Sequence, residues 1–159
     1  MMNKCIITAS LYLVSQFVNA DFYVGMEYAE LDVDYQSESR DIGTISVIGG
    51  TPIKDYLVIE ARAGIGTDSD SNKDIDLLYG VYGKLGRVIG RFYPYALFGY
   101  TQVKGTDDDE QISESDTSYG AGVSYQVSDK TSVSLNYMKH IDDNELSIDG
   151  ASLQFVHHY

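Results

Sequence analysis

Cysteine is nearly missing from this chain of 159 residues: Cys5 is the only one, tryptophan does not occur, and there are two prolines. A lone cysteine near the amino terminus excludes a disulfide framework and a cysteine-ligated metal in the body of the domain. Basic residues are also scarce, with 11 Lys and Arg against 24 Asp and Glu for a formal net charge of −13, which argues against nucleic acid as a partner. Long apolar runs are absent as well. After residue 20 every apolar segment is broken within a few positions by a polar residue. No transmembrane helix can form from such segments, so any membrane crossing must use strands, which need only about 9–11 residues each.

The first twenty residues have a different character. Met1-Met2-Asn3-Lys4 is a short basic region, residues 5–14 are mostly apolar, and Val18-Asn19-Ala20 places small residues at the positions a signal peptidase reads. The pattern predicts a signal peptide over residues 1–20 and a mature domain over residues 21–159, beginning at Asp21. Cys5 leaves with the leader. It has no apolar run before it, so a lipoprotein box does not fit.

What is abundant is tyrosine, 14 residues, and glycine, 15. Apolar residues recur at period two in about eight runs, separated alternately by acidic segments and short turns. The clearest run covers residues 57–66, with Leu57, Ile59, Ala61, Ala63 and Ile65 on one face and Val58, Glu60, Arg62 and Gly64 on the other. Similar alternation sets Leu77, Tyr79, Val81 and Leu85 against Asp76, Gly80, Tyr82 and Lys84, and Val133, Leu135 and Tyr137 against Ser132, Ser134, Asn136 and Met138. Residues 32–41, 67–74, 104–116 and 142–145 read as acidic loops, the third being the longest.

One face of these runs is bulky and apolar, the other small and polar. An eight-stranded barrel has an interior just wide enough for side chains, so this distribution predicts lipid outside and the polar set inside. Tyr23, Tyr28, Tyr56, Tyr93, Tyr95, Tyr119, Tyr125 and Tyr159 are expected at headgroup level as aromatic girdles. The last residues, 151–159, alternate as a strand ending on an aromatic. Pairing that strand with the first strand would close the sheet and remove its edges. The fold expected is all-β, an eight-stranded antiparallel up-and-down transmembrane β-barrel, and a soluble sandwich or lipocalin-like barrel is the alternative.

Four segments then carry a resemblance: Asp21-Phe22-Tyr23-Val24-Gly25, Leu57-Val58-Ile59-Glu60-Ala61-Arg62, Tyr93-Pro94-Tyr95-Ala96-Leu97-Phe98-Gly99-Tyr100 and Tyr119-Gly120-Ala121-Gly122-Val123. Their order and spacing resemble the small OmpA/OmpX-type outer-membrane barrel domain over essentially all of residues 21–159. The resemblance implies the outer membrane of a Gram-negative bacterium, reached by signal-dependent export, with outer-membrane lipids, lipopolysaccharide and the barrel-assembly machinery as partners. Two departures are expected to matter: this sequence carries no peptidoglycan-binding segment after the barrel, so a cell-wall anchoring role is not expected, and His157 occupies a position where the family has a larger apolar or aromatic residue.

Alternation puts Glu27, Glu60, Arg62 and Lys84 on the inward face, where isolated ions would cost several kcal/mol and so must pair. The resemblance implies that they form a salt-bridge plug, and a selectivity ring in a narrow pore is the alternative. The acidic surface loop Asp107-Asp108-Asp109-Glu110 is the candidate for surface interaction, through loose divalent-cation bridging or an extracellular ligand. Asp68-Ser69-Asp70-Ser71-Asn72-Lys73 opens like a calcium loop, but glycine is required where Lys73 stands and a bidentate glutamate where Tyr79 stands. No cofactor is expected. The basic residues Lys54, Lys84, Arg87, Arg91 and Lys130 lie at or near the short turns.

A lipid A-modifying enzyme is the remaining alternative, because some barrels of this size use a His-x-Ser pair near the outer end of the seventh strand. Here that place reads His140-Ile141-Asp142, without the serine, and His157 and His158 lie at the opposite end. His140 is accordingly expected at an interface or in a loop, and a structural or adhesion-like surface role is expected rather than catalysis. Whether Ser147 or another hydroxyl reaches His140 discriminates the two.

Overall fold

The computed structural model describes residues 21–35, 38–67, 73–107, 110–142 and 146–159, and residues 1–20, with the expected leader and its cleavage site, lie outside that set. Eight strands follow one another: β1 (Tyr23–Tyr35), β2 (Glu38–Lys54), β3 (Leu57–Gly66), β4 (Lys73–Gly86), β5 (Phe92–Asp107), β6 (Glu110–Ser128), β7 (Thr131–Asp142) and β8 (Leu146–His158). Each pairs with its sequence neighbour, and β1 pairs antiparallel with β8 from Tyr23↔His158 to Tyr35↔Leu146, closing an up-and-down barrel. The closure expected from the apolar last strand is present. Tyr159 extends it by donating its N–H to the carbonyl of Phe22 at 3.0 Å, and the two rings stack with centroids 5.0 Å apart.

Facing follows the alternation. On β3, residues 59, 61, 63 and 65 point outward while Glu60, Arg62 and Gly64 are buried or turned in, as the period predicts. Val24, Met26, Ile45, Val47, Val81, Phe98, Val123, Leu135, Leu153 and Phe155 are exposed around the same height of the wall and form a continuous apolar belt. Water would oppose such a belt, whereas hydrocarbon accepts it. Tyr28, Tyr100, Tyr119 and Tyr137 edge the belt at one end, and Tyr56, Phe92, Tyr125 and Tyr159 at the other. Three of the expected girdle tyrosines are placed otherwise. Tyr23 and Tyr95 point inward and are buried, and Tyr93 packs against the inner cluster of Tyr82, Tyr95, Leu97 and Met138.

Two ends differ sharply. At one, short turns connect β2 to β3, β4 to β5 and β6 to β7; in the second of these Gly90 has φ +63°, the left-handed conformation that favours glycine, while Ile89 and Phe92 exchange both backbone hydrogen bonds. At the other end the strands run far past the belt. Strand β6 has 19 residues, about twice what a bilayer crossing needs.

Most of what reads as acidic loop is therefore strand. Asp32 pairs with Asp41, Asp34 with Ser39, Lys104 with Ser113 and Asp107 with Glu110, so the segment 104–116 is a hairpin rather than a long loop, with Asp108 and Asp109 outside the described residues. The reason is on the inward face. Leu31, Leu78, Val103, Ile141 and Ile148 meet there with Ala29 in one buried apolar cluster, flanked by Val33, Ile42 and Leu146. Beyond the belt the barrel thus inverts: apolar inside, polar and acidic outside. The expectation of a uniformly small and polar interior is corrected by this cluster and by two more, one around Tyr82, Tyr95, Leu97 and Met138 and one of Tyr23, Ile48 and Val156.

Candidate functional site: the barrel interior and the acidic end

Glu60 and Arg62 are two residues apart on β3 and so share the inward face; Glu27 enters from β1 and Lys84 from β4. Arg62 donates through Nε to Glu60 Oε1 at 2.7 Å and through Nη1 to Glu27 Oε2 at 2.8 Å, while Lys84 Nζ stands 2.5 Å from Glu60 Oε2. All four are buried, Glu60 completely, at 0% exposure. Two carboxylates and two cations cancel, which removes the main cost of burying each.

Neutral donors complete the layer, and the sequence reading did not single them out. Gln154 Nε2 donates to Glu27 Oε2 at 2.8 Å and to Glu60 Oε1 at 3.2 Å, while its Oε1 accepts from Lys84 at 3.2 Å. Ser152 donates to Glu27 at 2.8 Å, and Tyr23 OH to Glu60 Oε2. Gly50 makes that last bond geometrically accessible, since a Cβ there would collide with the Tyr23 ring. The cations also lie against aromatic faces: Arg62 is 4.6 Å from the Tyr82 ring centroid, Lys84 5.0 Å from that of Tyr95. Inward alternation on β8 was the signal that could have found Gln154 and Ser152.

Lys84 belongs to this layer, not to the basic short-turn end where the sequence reading grouped it. Lys54, Arg87, Arg91 and Lys130 do lie at that end. Its mouth is a cavity of about 490 Å³ bounded in part by Asp21, Arg91, Tyr93, Lys130, Ser132 and His158. Ser132 Oγ and His158 Nε2 meet at 2.9 Å on its wall.

His140 is neither at an interface nor in a loop. It continues the inward alternation of Ser132, Ser134, Asn136 and Met138, the register shift between Lys139 and Ile141 turning Ile141 inward as well, and it is buried with Nδ1 3.3 Å from Thr101 Oγ1. Thr101 also meets Tyr82 OH at 2.7 Å and Ser118 Oγ at 2.5 Å, and Ser118 donates to the His140 carbonyl at 2.9 Å. The hydroxyl beside His140 is therefore that of Thr101, fully buried, while Ser147 pairs with Asp142.

At the far end Asp32 stands between Asp41 on β2 and Asp149 on β8, all three outside the belt. A hydrogen bond with the Asp41 carboxyl, loss of hydration and the surrounding charges of Asp41, Asp149 and Asp34 hold the Asp32 carboxyl above its ordinary value. Asp116 is shifted the opposite way, because the N–H groups of Asp142 and Thr117 donate to it at 3.2 and 2.6 Å. Lys139 and Asp142 pair at 3.0 Å. Among the described residues no group of three His, Cys, Asp or Glu is placed to hold a metal ion. Residues 68–72, Asp108 and Asp109 lie outside that set, so all of the calcium-like segment but Lys73 and half of the acidic loop candidate do too.

A family model described as outer membrane protein beta-barrel domain matches residues 6–158. No curated protein matches the sequence. Among solved structures, Ail, the attachment invasion locus protein of Yersinia pestis, in complex with the heparin analogue sucrose octasulfate, aligns at TM-score 0.65 and 13% identity over 88% of this chain and 99% of Ail. Neisserial surface protein A aligns at TM-score 0.63 and 15% identity over 87% of this chain and 97% of that one. The N-terminal β-barrel domain of Pseudomonas aeruginosa OprF gives TM-score 0.55 and 14% identity over 84% and 96%.

Proposed function

This chain belongs to the outer membrane protein beta-barrel domain family and is a protein of the bacterial outer membrane, and from that premise we propose that it is a closed, non-catalytic barrel acting at the cell surface through its acidic end. The short turns then face the periplasm and the extended strands the exterior. Residues 1–20 serve in this reading as the export signal, with Asp21 as the first mature residue, and the barrel-assembly machinery inserts the chain. A mass measurement of the mature protein checks the cleavage.

The observation that carries the surface role is the outward row Asp41, Asp32 and Asp149, and the Asp107-Asp108-Asp109-Glu110 segment adds four acids where β5 turns into β6. The carboxylates of Asp41, Asp32 and Asp149 stand above the belt on a rigid scaffold, beside an anionic lipopolysaccharide leaflet, where divalent cations can bridge them. Ail was solved with a polysulfated ligand. The acidic end of this chain would repel such a polyanion, so the fitting ligands are cationic or reached through a bridging cation.

The neutral, hydrogen-bonded layer around Glu60 supports a plug rather than a selectivity ring, since the charges face each other instead of a lumen. Burial of both Thr101 and His140 favours a structural role for that pair over lipid A chemistry. The test converts Asp32, Asp41 and Asp149 together with Asp107, Asp108, Asp109 and Glu110 to Asn or Gln and follows attachment and outer-membrane integrity across a magnesium and calcium series. A graded change is expected, because exposed charges are screened over about 8–10 Å at physiological salt. Identical behaviour of assembled variant and parent across the series removes the surface-interaction reading.

A further inference from the structure

Among the described residues, three buried polar atoms near the ion-pair layer have no hydrogen-bond partner: Arg62 Nη2, Thr44 Oγ1 and Ser46 Oγ. Ser46 is opposite Glu27 on one side and Gly64 on the other, and Thr44 lies two residues further toward the exterior, opposite Ala29. Arg62 and Gly64 are inward neighbours on β3. The three atoms therefore belong to one zone, in which Ser46 Oγ takes the place that a side chain at Gly64 would fill. Leaving them bare is costly, and bound water is the usual remedy for buried polar groups. The charges of the layer already cancel, so a neutral ligand fits better than an ion.

Directly beyond this zone, toward the exterior, lies the apolar cluster of Leu31, Leu78, Val103, Ile141 and Ile148. Its members come from β1, β4, β5, β7 and β8, and Ile42 of β2 packs against them, so the cluster is fed from most of the barrel circumference. It offers an ion no polar partner, whereas the layer beneath offers many.

We propose that Arg62, Thr44 and Ser46 hold a buried water site, and that the dry apolar cluster above it, not the ion-pair layer, is the barrier to ion passage. The proposal rests on the closed-barrel reading above and locates the closure. Hydration of the polar zone lets the ion pairs rearrange without opening a path, while the hydrocarbon seal has no such freedom.

The experiment compares full-length mature protein and two variants in planar bilayers bathed in potassium chloride, each first checked for heat-modifiable mobility on SDS gels. Wild type is expected to be silent. The variant Leu31→Ser/Leu78→Ser/Ile148→Ser should give resolvable conductance steps, and Glu60→Gln/Lys84→Gln should stay silent. If the triple variant does not assemble, Leu78→Ser alone is measured and should give resolvable conductance steps where wild type gives none. A silent seal variant, or steps from the ion-layer variant, overturns this proposal; steps from wild type overturn the closed-barrel reading itself. Independently, NMR in micelles should show water cross-peaks at the Arg62 guanidinium and none at the methyls of Leu31, Leu78 and Ile148. Water contacts at those methyls also overturn it.

Discussion

Arg62 on β3 reaches past β2 to donate to Glu27 on β1 at 2.8 Å, a contact between residues 35 apart in sequence that exists only because the sheet curves into a barrel. The same guanidinium holds Glu60, so one side chain neutralises two carboxylates. Arg62→Met should therefore leave an uncompensated buried charge and cost about 3–5 kcal/mol, as removal of one partner of a buried pair does. Urea titration of protein folded into lipid measures this; a loss under about 1 kcal/mol, the scale of an exposed pair, would mean that the layer is solvated.

Leu135 is 60% exposed on the belt while its neighbour Ser134 is buried inside. Leu135→Arg should cost about 2–4 kcal/mol near the bilayer midplane. Ser134→Ala should cost much less. Equal costs in the same folding titration would contradict the assignment of the two faces.

Closure depends on the last strand. Deleting residues 155–159 removes the Met26↔Phe155 and Tyr23↔His158 pairings and the Phe22–Tyr159 stack. The truncated chain should lose the shift in gel mobility between unheated and boiled samples and fail to enter membranes. Normal heat-modifiable migration of the truncation would show that the terminal part of the β1–β8 pairing is not needed for a stable barrel.

Asp32 gives a pH signature. Its carboxyl is raised in the folded protein, first by the Asp41 hydrogen bond, so its contribution is favourable below the ordinary carboxylate value and is lost as pH rises through the raised one. Asp32→Asn should accordingly stabilise the protein at about pH 7 and have a smaller effect near pH 4, around the ordinary carboxylate range. Urea midpoints at the two pH values check the sign, and a larger effect at the lower pH contradicts it.

Local alternation was enough to read the strands of the belt. In residues 57–66 every second side chain is bulky and the others include Glu60 and Arg62, so the lipid face and the inward charges follow from a period-two repeat without knowledge of the partners. Tyrosine carries no such label: Tyr23 and Tyr119 are alike in composition terms, yet one bonds Glu60 inside and the other is exposed at the belt edge. Acidity misled at the far end. Segments 32–41 and 104–116 look like solvated loops, and only the pairing of Asp32 with Asp41 and of Lys104 with Ser113 reveals that they continue as strands.

The sequence by itself determined the class of fold, the apolar belt and the candidates for the inward charges, because side-chain facing in a strand is a local property repeated every two residues. The tertiary structure decided which inward groups meet. It placed His140 beside Thr101, Gln154 between Glu27 and Lys84, and Leu31 against Leu78 and Ile148, because these contacts join strands far apart in the chain and depend on closure and register, which no single segment encodes.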